Sequence, residues 1–132
     1  MADRYFEPAE VERLIPELMR VMARVMGAHA EAAQTRERLR AEQERISMAG
    51  GGVIDQAAWR QDSERLQRST RSVEDGIDEI LRLGGVPKDL GLGLVDFPHL
   101  RDGRVVNLCW KYGETAVRWW HGLDEGYANR TP

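Results

Sequence analysis

The chain has 132 residues, 31% of them charged, with a formal net charge of -3 and a single cysteine, Cys109. That length suits one domain, and a slightly acidic chain lacks the basic footprint of a nucleic-acid binder. One cysteine excludes an internal disulfide framework and fits a reducing compartment. The opening MADRYFEPAEVERL has no basic segment followed by an apolar core, and no apolar run approaches the ~18 residues that span a membrane. The expected location is the cytoplasm, without membrane contact.

The first predicted element spans residues 7–49. Pro8 suits the first helical position, where its missing N–H costs nothing, and Glu10 favours the helix dipole in the first turn. Apolar residues then recur in alternating steps of four and three. One seven-residue series, Val11, Leu18, Val25, Ala32, Leu39 and Ile46, is apolar throughout. The interleaved series, Ile15, Met22, His29, Arg36 and Gln43, turns polar at His29. Leu14, Val21 and Ala28 widen the apolar stripe in the first half. This is the pattern of a coiled-coil-like helix, roughly 60 Å long at ~1.5 Å per residue. Pro16 removes one backbone hydrogen bond, and a kink is expected there. His29 is expected to be a partly buried packing or register-setting residue.

SMAGGGVI, Ser47 to Ile54, breaks the pattern, and Asp55 offers a helix cap. The second helix is predicted over 55–83. Its series Trp59, Leu66, Val73, Ile80 and Ser63, Thr70, Ile77 become more apolar toward the C-terminus. Glu64–Arg68 and Asp78–Arg82 are acid-before-base pairs at i,i+4, which mark a solvated face. Gly84 and Gly85 end the helix, and Pro87 prevents its resumption. The opposed gradients predict an antiparallel helical hairpin with a wide apolar base and a slim polar tip near the glycines.

The remaining zone, 86–132, is expected to pack at that base as a β-hairpin and a short helix. LGLGLVDF places Leu90, Leu92 and Leu94 on one face by alternation. RVVNLCWKY is β-branched and aromatic, Asp102-Gly103 is a hairpin turn signal, and His99 falls in the connecting loop. Thr115 is read as the cap of a helix through Leu123, closed by Gly126.

These residues carry a resemblance. Leu94-Val95-Asp96-Phe97-Pro98, Gly103-Arg104, Leu108-Cys109-Trp110, Gly113-Glu114, Trp120-His121 and Gly126-Tyr127 resemble the C-terminal signature of a bacterial family, domain of unknown function 2203. Phe6, Leu14, Ile15 and Pro16 resemble its N-terminal start, although Glu7-Pro8 stands where members often carry a hydroxyl cap. The resemblance implies one compact domain and brings no activity, cofactor or substrate with it.

Chemistry concentrates in RWWHGLDEGY, Arg118 to Tyr127. As a helix, this stretch aligns Trp120 and Leu123 with the core and gathers Glu114, His121 and Asp124 on a polar flank that Asp96 approaches. A histidine beside carboxylates serves as a divalent-metal ligand or as a general base. The structural alternative is a hydrogen bond that locks the helix in place. The metal candidates are therefore His121, Glu114 and Asp124. Asp96, Trp110 and Trp120 join them as candidate ligand-binding residues, with Arg104 or Arg130 to hold an anionic ligand. Cys109 in its strand reads as a small buried hydrophobe, or else as a nucleophile activated by a nearby cation.

The expected fold is α+β: a long antiparallel helical hairpin with a β-hairpin and short helix at its base. The expected assembly is a homodimer through the helices. Two functions follow. One is a non-enzymatic interaction or scaffold protein. The other is a small-ligand or metal-binding protein, an enzyme among its forms, with a His/carboxylate site at the junction. Whether His121 faces a polar cleft or sits closed among packed side chains separates the two.

Overall fold

The computed structural model describes residues 4–50 and 54–132. Gly51, Gly52 and Val53, within the expected glycine break, lie outside the described residues, as do Met1, Ala2 and Asp3. The class is α+β. Helix α1 is Pro8–Met48 and α2 is Gln56–Leu83. Strands β1 (Val86–Asp89), β2 (Leu94–Arg101), β3 (Arg104–Lys111) and β4 (Trp119–His121) follow in an antiparallel sheet of order β1-β2-β3-β4.

The helix ends form as their chemistry dictates. The Glu10 carboxylate accepts the Glu7 N–H at 2.9 Å, and Asp55 caps α2 by accepting from the Ala58 N–H at 3.0 Å. Gly84 ends α2 at a left-handed φ of 101°. Helix α1 is continuous through Pro16, whose ring nitrogen has no proton to give the Glu12 carbonyl. The two helices contact each other in opposing order. Arg20 and Arg24 meet Glu79, Glu31 lies near Arg65, and Arg38 pairs with Asp62 at 3.0 Å.

Burial follows the gradient. Val11, Ile15, Leu18, Val21, Met22 and Val25 are buried in the first half of α1, and Ile80 at the far end of α2. One seven-residue series keeps its face from Val11 to Ile46. The other shifts by one residue: Ala28, Thr35 and Glu42 turn inward, while His29, Arg36 and Gln43 are exposed. His29 is therefore a surface residue, not a packing one.

The third zone departs from expectation in three places. Leu90–Gly93 form a turn rather than a strand, with Leu92 exposed. The Asp89 carboxylate accepts the Leu92 N–H, and the Asp89 carbonyl accepts the Gly93 N–H. The short segment before it is β1, whose Pro87 is tolerated on an edge strand. His99 lies in β2, not in a solvated loop. It is buried, and its Nδ1 donates to the Phe6 carbonyl at 2.7 Å while the Phe6 N–H donates to Pro98. The turn itself is as expected, with Asp102 and Gly103 both at positive φ.

The third departure is the largest: residues 115–123 form no helix. Trp119–His121 instead pair with Cys109–Asn107 as β4, and Trp120 exchanges two backbone hydrogen bonds with Thr131. Paired tryptophans favour a strand, and the open edge of β3 offers ready hydrogen-bond partners that a nine-residue helix cannot match. Upstream, the Val117 N–H is held by the Glu12 carboxylate at 3.0 Å.

Alternation gives the sheet two faces. Val95 and Phe97 of β2, with Leu108 and Trp110 of β3, join the helical core. Phe6 completes it, its ring edge-on to Phe97 at 5.1 Å. Asp96, Asn107, Cys109 and His121 lie on the other face, away from the helices.

Candidate metal centre

Part of the outer face of the sheet is buried, and that part carries three ionisable groups. Asp96 of β2 is the register partner of Cys109 of β3, and His121 of β4 pairs with Asn107, two residues away on the same face. The three side chains thus converge from adjacent strands. Asp96, Cys109 and His121 are only 2%, 1% and 3% exposed. The C-terminal segment covers them: Leu123, Glu125, Gly126 and Tyr127 close a cavity of about 130 Å³ over the three groups.

Hydrogen bonds orient the histidine. Nδ1 lies 2.8 Å from the Gly122 carbonyl oxygen, and Nε2 lies 3.1 Å from Asp96 Oδ1. A carbonyl only accepts, so Nδ1 carries a proton. One further proton then joins Nε2 to the carboxylate. Burial raises the Asp96 carboxyl above its ordinary value, opposed first by His121 and more weakly by Lys88 and Cys109. Burial also pushes the Cys109 thiol up to about 11, with the Asp96 charge adding to the effect and Arg130 opposing it. Such a thiol is protonated at neutral pH, which argues against the nucleophile expectation.

One atom from each residue forms a donor set of oxygen, sulfur and nitrogen within 4.8 Å of one another. Tetrahedral zinc, with bonds of about 2.0–2.3 Å, has donor–donor edges of roughly 3.3–3.7 Å, so the His121–Asp96 contact at 3.1 Å would open slightly and any wider separation, none above 4.8 Å, would close to receive it. A ligating histidine ordinarily gives its second N–H to a carbonyl or carboxylate, as Nδ1 does here to Gly122. A tetrahedral ion held by three donors of the chain would have a fourth position for an outside ligand.

The remaining sequence candidates lie elsewhere. Glu114 is committed to structure. Its carboxylate accepts from the Lys111 N–H at 2.8 Å and from Arg130 Nη1 at 3.0 and 3.1 Å, and its carbonyl accepts the Trp110 indole N–H. Asp124 is exposed and does not orient His121. Both left the expected polar flank when the helix that would have aligned them formed as a strand. Trp110 and Trp120 face the helical core, and Arg104 is exposed beside the hairpin turn. Arg130 lies near the site: its guanidinium packs over Tyr127 at 4.3 Å and Trp119 at 4.8 Å. Cys109 joins the group through strand pairing: alternation puts it on one face with Asn107, and the Asp102-Gly103 turn pairs its strand with the one that carries Asp96.

Among the described residues, no helix is long and apolar enough to cross a membrane. No curated protein and no solved structure matches the chain. The family model described as "Uncharacterized conserved protein (DUF2203)" matches residues 4–132, nearly the whole chain, and the chain belongs to that family.

Proposed function

We propose that this protein binds one divalent cation of the zinc class through Asp96 Oδ, Cys109 Sγ and His121 Nε2. The observation that carries this reading is the convergence of three buried donors from three strands on a cavity, with the histidine already held by the Gly122 carbonyl. A mixed nitrogen, sulfur and oxygen set suits borderline cations such as Zn2+ and Co2+ better than Ca2+ or Mg2+. His121 lines a small cavity rather than being packed on every side, which supports the reading of a site. Elemental analysis of the native purified protein and of His121→Ala tests it. Near-stoichiometric metal in the first and a loss in the second support the proposal. Absence of metal from both, together with no uptake of added Zn2+, contradicts it.

A second reading is an interaction or scaffold role, in which α1 and α2 form an antiparallel coiled-coil-like hairpin that joins two copies as a homodimer. It is favoured by Trp59, which is half-buried and lines two surface cavities at the distal end of the helices. Light scattering that gives a monomer at about tens of micromolar, well above the dissociation constants of stable interfaces, counts against it.

A further inference from the structure

The cavity over Asp96, Cys109 and His121 has two further polar walls. Asn107 lies half-buried on β3, two residues before Cys109 and on its face, and Lys88 lies at the rim on β1. Among the described residues, neither the Asn107 amide nor the Lys88 ammonium has a hydrogen-bond or ion-pair partner. Glu125, also in the wall, has a carboxylate oxygen turned to the Gly122 N–H at 2.8 Å. Tyr127 accepts from Lys111 Nζ at 3.4 Å. The uncommitted groups lining the cavity therefore include an amide N–H2, beside its own carbonyl oxygen, and one ammonium.

We propose that the fourth coordination position of such a cation takes a small monoanion, a carboxylate or bicarbonate, one oxygen on the metal and the remainder received by Asn107 and Lys88. This rests on the cation reading above. The size of the cavity limits the ligand. A sealed pocket of about 150 Å³ holds benzene, so roughly six non-hydrogen atoms or fewer fit within these 130 Å³. Charge favours an anion. A divalent cation held by a thiolate, a carboxylate and a neutral imidazole is formally neutral, and it takes the Asp96 charge that otherwise faces Lys88. The ammonium is then left to a charge that arrives with the ligand.

Co2+-loaded protein titrated with formate tests this, because the visible d–d absorption of Co2+ reports its coordination. The expected result is a saturable spectral change. It weakens more than about ten-fold in Asn107→Asp, where a like charge meets the anion. It weakens roughly two- to five-fold in Lys88→Gln, as for one exposed charge pair. Cobalt content is measured alongside in each variant. A loaded protein whose spectrum formate does not move, or a Lys88→Gln variant that binds formate as tightly as the parent, overturns the anion proposal and leaves the cation site standing. Failure of the parent to take up Co2+ at all overturns both.

Discussion

His121 Nε2 lies 3.1 Å from both carboxylate oxygens of Asp96, in a pair that is almost wholly withdrawn from solvent. Its other nitrogen is spent on the Gly122 carbonyl. One proton therefore binds two strands together, and the same contact is where a cation can replace it.

Removing one partner exposes the worth of this contact. His121→Ala leaves the Asp96 carboxyl buried without its neighbour and is expected to cost the metal-free protein roughly 1–3 kcal/mol. The cost stays below that of a stranded charge because burial already favours the protonated acid. Urea unfolding of His121→Ala, Asp96→Ala and the double variant measures the coupling. A double variant no less stable than either single one is the expected outcome, and strictly additive losses contradict it.

The Cys109 thiol links stability to alkaline pH. Its value rises from 9.0 in the unfolded chain to about 11 when folded. Between those values the folded chain keeps a proton that the unfolded chain has lost, so stability falls as pH rises through this window. The loss is on the order of 2 kcal/mol and is complete above pH 11. Comparing the metal-free protein with Cys109→Ala isolates it: the parent loses more stability from pH 9 to 11 than the variant does.

Three glycines in helical surroundings separate by environment. A Cβ at Gly84 meets the Phe6 ring at 2.2 Å in a backbone at φ 101°, and one at Gly76 meets Val25 Cγ2 at 2.1 Å. Gly84→Ala is expected to cost about 2–4 kcal/mol from strain and overpacking, and Gly76→Ala about 1–2 kcal/mol after helix propensity is offset. At Gly27 nothing lies within 4 Å, so Gly27→Ala should stabilise α1 by roughly 0.5–1 kcal/mol. Thermal melts of the three variants check the order.

Local periodicity made the helices legible, because each apolar seam residue reports its face within a turn or two. Asp102-Gly103 was equally legible, since the turn chemistry is carried by two adjacent residues. Strand β4 was not. Trp119-Trp120-His121 becomes a strand through pairing with Asn107–Cys109, and nothing local to those three residues encodes that partner. The site follows the same divide. Helical spacing puts Glu114 and Asp124 beside His121. Sheet register instead gives it Asp96 and Cys109, residues 25 and 12 positions away in the chain. The sequence alone brings Asp96 near this group and reads Cys109 as a small buried hydrophobe or an activated nucleophile.

The most direct measurement is Zn2+ titration by calorimetry at pH 6.5 in two buffers of different ionisation enthalpy. The account predicts one cation per chain with close to two protons released, one from the thiol and one from the Asp96–His121 contact. Cys109→Ser should bind more weakly and release fewer. Uptake without proton release, or no saturable uptake, would contradict a cation centre at Asp96, Cys109 and His121.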